Sequence, residues 1–432
     1  MIKKISYIIF ISILMNQNVF AITLSEALLE AFINNPDLNA ERENIKVSEE
    51  DLKISKGNYL PSITISGSKS QEDTNKLTNR AGNDVTVNDV NPLTKSIIIE
   101  QTLLDFSINA DFQKNKIGIN LAGIKLLKKE QEILLKAIEA YSGLILADQK
   151  SKINQRSLNL LERQVETDRA RLERGQITLS DLAQSEASFA EAQANFIQSK
   201  NEIISNKLNY ENVIGPISNI NSLEKNFNIN FVLPDNLNSA IKISKKNNPE
   251  LIIAKLEHEQ SEKDVLISWS DLSPSAKLSY ESSRSEDVSS TYDERNKNIL
   301  KATISWPIYS GGKNRASLKK SKNIKNRKRL LLNSASKKND TNVAIAWSTL
   351  QSSKSLLNSV KSQVKAAEIA NEGITVEYES GLGRSTLDVI QSNSILLNAR
   401  ISLVNSERNY LLSQFKLLKS IGLLNNGYLK LQ

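Results

Sequence analysis

The chain contains no cysteine. Disulfide frameworks, thiol catalysis and a cysteine-linked lipid anchor are therefore excluded for these 432 residues. Histidine is nearly as scarce, because His258 is the single one and lies in a charged run of helical character. We interpret His258 as an exposed helix residue rather than a catalytic group, so the sequence predicts no enzyme.

Aromatic residues make up only 5% of the chain, and proline is missing from the whole stretch Ser107–Arg174. The stretch predicts one amphipathic helix, which would extend roughly 100 Å at 1.5 Å per residue. Its Lys, Glu and Arg content excludes a membrane span, so the helix must stand in water beside partners. Apolar residues recur along it at helical spacing: Ile117, Leu121, Ile124, Leu127, Leu134, Ile138, Tyr141, Ile145, Leu158, Leu161, Val165 and Leu172.

The first 21 residues combine two early lysines, Lys3 and Lys4, with an apolar run that ends in Val19-Phe20-Ala21. This pattern predicts a secretory signal peptide over residues 1–21. A membrane anchor is the alternative, but the run is too short to span and polar residues follow it. Without Lys3 and Lys4 the formal charge falls from +8 to +6. A surplus this small and scattered does not indicate nucleic acid as a partner.

The remainder of the chain repeats itself. Asn34-Asn35-Pro36 returns as Asn247-Asn248-Pro249, and Pro61-Ser62 returns as Pro274-Ser275, both with an offset of 213 residues. Repetition on this scale predicts two structural repeats. We place them at residues 22–215 and 239–422, joined by an irregular connector at 216–238 and followed by a C-terminal tail at 423–432.

Each Pro-Ser pair is followed by an apolar/polar alternation that predicts β-strands. Polar excursions follow at about 72–94 and 283–297, and a second strand comes after each. Four such strands in an exported chain suit a share of an outer-membrane barrel, although a surface hairpin packed on helices is an alternative. The positions predicted to face lipid are Ile63, Ile65, Leu278, Ile304 and Trp306.

A second proline-free helix is predicted from about Lys313 to Glu379, and each long helix ends at glycine before the chain reverses. The reversals share the pattern Asp181…Gln184-Ser185 and Asp388…Gln391-Ser392. Seven-residue seams follow and predict coiled-coil packing. They consist of Leu182, Phe189, Phe196, Ile203 and Tyr210 in the first copy, and Val389, Leu396, Leu403, Tyr410 and Leu417 in the second.

Four strands cannot close a barrel, and lipid does not tolerate open sheet edges, so a membrane-spanning version of this chain must oligomerise into a shared conduit. The whole order resembles the TolC family of outer-membrane efflux and secretion channels over residues 22–425. The residues that carry the resemblance are Thr23-Leu24-Ser25-Glu26-Ala27, Asn35-Pro36, the junction Trp306-Pro307-Ile308-Tyr309-Ser310-Gly311-Gly312, and the Gly-to-Asp reversals.

The resemblance implies a mainly α fold with a membrane β-barrel, in which long antiparallel coiled-coil helices and four strands per chain form a trimeric α/β-barrel channel. It implies a homotrimer in outer-membrane lipid that extends into the periplasm. There it would serve as the exit duct of a tripartite efflux or type I secretion system, with a periplasmic adaptor and an inner-membrane transporter as partners. No cofactor is implied.

The resemblance also implies roles for residues at the reversals. Asp388 matches a ring of carboxylates at the constricted periplasmic entrance, Gln391 stands where the family has a second acidic ring, and Arg384 matches a basic residue that ties the closed entrance together. The tips that would dock the adaptor comprise Arg174, Gly175, Gln176, Asp181, Gly381, Leu382 and Gly383.

Other interpretations of these residues remain open from the sequence. Asp181 and Asp388 are also placed to cap helices, an interpretation we prefer for Asp181 but not for Asp388. The glycine pairs near Gly311 and Gly381 lack the full spacing of a phosphate loop and are better explained as helix boundaries. Because heptads alone would suit a periplasmic coiled-coil adaptor or scaffold, that function is the alternative to the channel.

Overall fold

A computed structural model of the protein describes five stretches of the chain, and the predicted signal peptide at 1–21 lies outside them. The described stretches are 22–85, 89–225, 231–289, 292–381 and 383–431. Within them, no helix is both long enough and apolar enough to cross a membrane.

The first half of the chain contains four helices and the strands of one hairpin, much as the periodicity predicts. Thr23 caps the first helix with its side chain and forms a reciprocal capping box with Glu26. In chain order the elements are α1 (Leu24–Asn34), α2 (Pro36–Gly57), β1 (Ser62–Lys69), β2 (Leu77–Thr78), β3 (Asp84–Val85), β4 (Leu93–Leu104), α3 (Phe106–Glu173) and α4 (Leu179–Val213).

The second half reproduces this order after a short 3₁₀ turn at Ile220–Ser222. The helices match in length: α2 and α6 have 22 residues each, α3 and α7 have 68 and 67, and α4 and α8 have 35 each. The elements are α5 (Leu237–Asn247), α6 (Pro249–Ser270), β5 (Ser275–Ser289), β6 (Tyr292–Ser305), α7 (Lys313–Glu379), α8 (Thr386–Ser420) and α9 (Asn426–Leu429).

The sequence underestimated the strands of the second hairpin. The stretch 283–297 was expected to be a polar excursion, but β5 continues to Ser289 and β6 begins at Tyr292, so most of it is paired strand. Backbone hydrogen bonds between strands form whatever the side chains are, so a strand can continue through polar residues. The alternation of apolar and polar residues reveals only the part of a strand that has an apolar face. The first excursion contains the two-residue strands β2 and β3, which the pattern did not reveal.

The four long strands form one antiparallel sheet in the order β1-β4-β5-β6. Its register places one row of apolar residues across all four strands, because Ile63 pairs with Ile99, Ile99 with Tyr280, and Tyr280 with Leu300. The next row on the other face is polar and consists of Ser62, Glu100, Ser279 and Lys301. In these two rows the sheet has the chemically different faces that a barrel wall requires.

The positions predicted to face lipid fall on this apolar face where the register defines them. Ile63 and Ile65 are two residues apart on β1 and therefore lie on the same face. On the second hairpin, Ala276 of β5 pairs with Ile304 of β6, and Leu278 lies on the same face of β5 as Ala276. Ile304 is 78% exposed and Trp306, just beyond β6, is 61% exposed, whereas Leu278 is half-buried. Contact of this face with lipid remains a prediction.

Four helices continue from the strands in the same lateral order. Helix α2 packs on α3, α3 packs on α6, and α6 packs on α7, while the return helices α4 and α8 pack on α3 and α7. Helices α2 and α7 are therefore the two edges of this layer, just as β1 and β6 are the edges of the sheet. The hydrophobic core lies about midway along the long helices, where α1 and α5 pack against them.

The predicted heptad seams are present but are completed by small residues. Each return helix has a second series of buried Ser and Ala side chains, spaced seven residues apart and about one turn from the large seam residues. These small side chains let the paired helices approach closely. The series is Ser185, Ala192 and Ser199 in α4, and Ser392, Ala399 and Ser406 in α8.

We expect Ile304→Arg to prevent stable insertion, because a cation on the lipid side near the bilayer midplane costs about 2–4 kcal/mol. Thr303→Arg is the matched control, since Thr303 occupies the opposite face of the same strand. The measurement is the urea resistance of the membrane-assembled protein for each variant. Equal resistance of the two variants would show that the lipid face is assigned incorrectly.

Candidate functional site at the helical hairpin turns

The two hairpin turns use glycine where the backbone adopts the left-handed region. Gly175 has φ +70, and Gly381 and Gly383 have φ +73 and +81, conformations that other residues adopt only with strain. The Gly175 amide donates to Leu172 and the Gln176 amide donates to Arg171, closing the end of α3 just after Arg174. Leu382 lies outside the described residues.

Both return helices begin with the same reciprocal capping box. The Thr178 hydroxyl accepts the Asp181 amide at 3.2 Å, and the Asp181 carboxylate accepts the Thr178 amide at 2.9 Å. Ser385 and Asp388 repeat these contacts at 3.2 and 2.9 Å. Asp388 therefore makes the capping contacts that we prefer only for Asp181 from the sequence, and its place in a pore remains a prediction.

The caps also set the charge of the two carboxyl groups. The backbone N–H of Thr178, followed by its hydroxyl, holds the pKa of Asp181 below its usual range, and Ser385 does the same to the pKa of Asp388. Groups with a lowered folded-state pKa stabilise at neutral pH, and this contribution disappears as the pH falls through the lowered value. Both turns thus carry ionised carboxylates at any pH near neutrality.

Arg384 is paired within its own turn. Its Nε donates to Glu377 Oε2 at 2.6 Å, and this hydrogen bond raises the pKa of the guanidinium further above its usual range. Gln391 is exposed one turn after Asp388 on α8. Residues of both turns, including Gln176, Asp181, Gly381 and Arg384, line one open groove of about 540 Å³. The structure thus brings the two predicted docking segments side by side.

A buried carboxylate joins the two hairpins just above this groove. Asp168 of α3 is fully buried and accepts hydrogen bonds from Ser185 Oγ of α4 at 2.5 Å and from Tyr378 OH of α7 at 2.9 Å. Gln164 Nε2 lies 3.0 Å from the same carboxylate, and the Tyr378 hydroxyl lies 3.0 Å from Thr386 of α8. The carboxylate thus links α3, α4 and α7 directly, and the Tyr378 hydroxyl extends the network to α8.

Tyr378 is held in place from both sides. The guanidinium of Arg171 lies 4.2 Å from the centre of its ring, a cation–π contact. Burial raises the pKa of the Tyr378 hydroxyl, and the Asp168 carboxylate adds to this effect, so the hydroxyl stays protonated and donates.

Sequence reasoning missed this network, although one signal was present. Asp168 stands between Val165 and Leu172 on the apolar stripe of the long helix, at the spacing of a core position. An acidic residue there has to be paired when it is buried. What the sequence could not supply was the partner, because Tyr378 lies 210 residues further along the chain.

The sequence profile of the outer membrane efflux protein family matches residues 27–215 and 240–423. The chain belongs to this family. It is therefore an outer-membrane channel protein of the class that serves efflux or secretion, as the TolC-like resemblance implied, and relatives in the class are named as efflux and protease secretion proteins. The match covers both halves of the chain, and each matched segment includes one of the two hairpin turns.

Individual relatives agree over nearly the full length. The outer membrane efflux protein BepC of Brucella suis is 25% identical over 98% of this chain and 90% of its own, and the outer membrane protein TolC of Escherichia coli is 20% identical over 93% and 82%. Among solved structures, the outer membrane protein VceC of Vibrio cholerae superposes with a TM-score of 0.77 at 16% identity, over 92% of this chain and 96% of that one. The last similarity concerns the fold alone.

We expect Tyr378→Phe to loosen the junction of the hairpins, because it removes a donor from a fully buried carboxylate, a loss of about 1.5–3 kcal/mol. Hydrogen exchange of the amides in both turns should accelerate while exchange in the core around Tyr141 stays unchanged. Tyr309→Phe is the control, since Tyr309 is 86% exposed. Unchanged exchange at the turns in Tyr378→Phe would mean that Asp168 does not hold the hairpins together.

Proposed function

We propose that three copies of this chain form one outer-membrane duct. The support is the sheet itself, whose edge strands β1 and β6 each have one side without a partner in the described chain. Open edges are not tolerated in lipid, so the sheet must close with other copies. Three copies of a four-stranded sheet supply twelve strands, which lies within the range of outer-membrane barrels.

The long helices would continue the duct across the periplasm. Helices α3 and α7 run from the sheet to the hairpin turns without a break, a length of about 100 Å at 1.5 Å per residue. The turns would therefore lie at the far end of the duct and meet a periplasmic adaptor and, through it, an inner-membrane transporter. Such a duct is passive, and its cargo is whatever that transporter delivers.

The entrance of the duct would be formed by the turns of the second repeat. We assign Asp388 to the entrance with Arg384 beside it, while Gln391 leaves the entrance without a second carboxylate. The capping contacts of Asp388 involve its Oδ2 atom, so capping and a pore-facing carboxylate are compatible. Repulsion among three such carboxylates would oppose the lowering of the pKa by the cap.

The proposal is tested first on assembly and docking. We expect the wild-type chain to fractionate with outer membranes as a heat-sensitive trimer that crosslinks through its turns to an adaptor. Gly175→Val should strain the turn at φ +70, whereas Gly175→Asn adds bulk in a conformation that Asn tolerates.

Both Gly175 variants should keep the trimer and the barrel, since a Cβ at Gly175 meets nothing within 4 Å in the chain. If close approach of the adaptor backbone is what Gly175 provides, both variants lose transport and adaptor crosslinks. A soluble monomer would favour the scaffold alternative, and unchanged transport in both variants would exclude docking at this turn.

Asp388→Asn tests the entrance. Single-channel recordings of the wild-type trimer should show cation preference and block by multivalent cations from the periplasmic side, because a ring of carboxylates attracts cations. The substitution should weaken both effects without closing the channel. Asp181→Asn is the matched control, since it removes the same capping carboxylate from the other hairpin. If both variants behave alike, Asp388 acts as a cap and does not line the pore.

A further inference from the structure

The end of α8 meets the start of α6 partway along the helical layer, and a pocket lies at this break. Asn248 joins the two ends, because its side-chain oxygen accepts the Glu250 amide at 2.9 Å and its side-chain amide donates to the Ser420 carbonyl at 3.0 Å. Helices α3 and α7 pack on both α6 and α8 and so run past the break. Residues of α3, α6, α7 and α8 line a pocket of about 270 Å³ there. This volume is far more than one water molecule needs, so the pocket has room for a small solute.

Cations outnumber carboxylates in this pocket. Its charged side chains are Lys128, Lys416, Lys419, Glu132 and Glu250. Lys128 pairs with Glu250 at 3.4 Å, and Lys416 lies 3.8 Å from Glu139, which does not line the pocket. Lys419 forms no salt bridge within the part of the chain that the structure describes. The N-terminus of α6 adds further partial positive charge. The charges of the pocket therefore favour an anion.

A buried amide of the pocket has no hydrogen-bond partner. Gln131 of α3 lines the pocket and is only 2% exposed, and its Nε2 atom forms no hydrogen bond within the described residues. Buried polar groups are nearly always paired, and an amide nitrogen can pair only with an acceptor. An acceptor atom held in the pocket, such as the oxygen of an anion, would therefore complete Gln131.

The first repeat shows that the fold does not require the two lysines of α8. There α4 ends against the start of α2 in the same way, since the side-chain amide of Asn35 donates to the last residue of α4 at 3.2 Å. Helices α8 and α4 are related by an offset of 207 residues, so Lys416 corresponds to Asn209. By the same offset Lys419 corresponds to Asn212. The first break thus has the same capping contact without these cations, which indicates that they serve something other than the junction itself.

The pocket opens on the side of the layer away from α5 and α9. On α7, Asp340 pairs with Lys245 of α5 at 3.3 Å, whereas Asn342 lines the pocket. On α3, Glu130 accepts the first amide of α9 at 2.6 Å, whereas Glu132 lines the pocket. Residues two apart on a helix point in directions about 200° apart. In the proposed duct this side is the inner wall, because α1, α5 and α9 would otherwise fill the passage.

We propose that the pocket between α6 and α8 is a binding site for a small oxyanion of the phosphate class. Lys416 and Lys419 supply the positive charge, and Gln131 Nε2 donates a hydrogen bond to an anion oxygen. The bound anion draws the end of α8 towards α3 and the start of α6. The site is complete within one chain, and only its position on the inner wall rests on the proposed duct.

Titration calorimetry with inorganic phosphate at constant ionic strength tests the site on the full chain purified in detergent. Lys416→Asn with Lys419→Asn copies the first repeat and should weaken phosphate binding by more than about tenfold. The control is Lys361→Asn with Lys365→Asn, which removes the same charge from two exposed positions of α7 and should leave the affinity unchanged. Equal weakening in the two double variants, or no saturable binding by the wild-type chain, overturns the inference.

Glycerol 3-phosphate, titrated in the same way, distinguishes two sources of the anion. Affinity equal to that of inorganic phosphate extends the site to phosphate groups of passing solutes. Binding weaker by more than about tenfold restricts it to the free ion.

Two single substitutions test the sign of the ligand's charge and the role of the buried amide. Glu132→Gln should tighten phosphate binding, because it removes a like charge from the pocket, whereas a site for a cation or an amino acid would lose affinity. Gln131→Met keeps a similar shape without the amide and should weaken phosphate binding. Weaker binding in Glu132→Gln, or unchanged binding in a folded Gln131→Met chain, overturns the assignment.

Hydrogen exchange locates the bound anion within the wild-type chain. At a phosphate concentration ten times the dissociation constant, exchange in the last turn of α8 should slow by up to about tenfold. Exchange in the last turn of α4 should stay unchanged, because the first break lacks the two lysines. Equal slowing at the two helix ends would contradict binding in this pocket.

These outcomes are separate from those that test the proposed function. A wild-type chain that is trimeric in the outer membrane but does not bind phosphate retains its function as a duct and overturns only the anion site. A wild-type chain that binds phosphate in this pocket but is not trimeric retains the site and removes the duct.

Discussion

The hydrogen-bond register of the four-stranded sheet is the constraint on which the rest of the structure depends. Each long strand is joined to one long helix, β1 and β5 after α2 and α6, and β4 and β6 before α3 and α7. The strand order β1-β4-β5-β6 therefore becomes the helix order α2-α3-α6-α7. The hydrogen-bond register of the strands therefore sets the axial position of every long helix relative to its neighbours. Even the contact between Asp168 and Tyr378 at the far turns requires that α3 and α7 start level at the sheet.

A second fixed point lies midway, at the two Asn-Pro junctions. Asn35 and Asn248 each cap the following helix with a side-chain oxygen, and each donates its amide to the end of a return helix, to Val213 at 3.2 Å and to Ser420 at 3.0 Å. Gly422 belongs to the same contact, because a Cβ there would lie 2.2 Å from the Asn247 carbonyl oxygen. Each asparagine ends one helix and caps the next, which opens with proline, and the asparagine amide bonds to the return helix.

Between these fixed points the chain leaves much of its chemistry incomplete. Within the described residues, the edge strands β1 and β6 each have one side without a partner, and only Lys325 and Lys328 among the cations at the start of α7 form salt bridges. The turns present ionised carboxylates beside an open groove. An open sheet edge is unfavourable in lipid, and pairing with another copy would complete it. The open sheet edges are the feature that the proposed duct of several copies would complete.

The sequence by itself determined the local structure, because helical periodicity, caps and glycine turns are written in neighbouring residues. It predicted α7 with the bounds that the structure has, and α3 within one residue. It could not predict that Asp168 meets Tyr378 or that β5 extends through a polar stretch. Those were decided by the tertiary structure, since hydrogen-bond partners far apart in sequence are chosen only when the strand register brings their helices level.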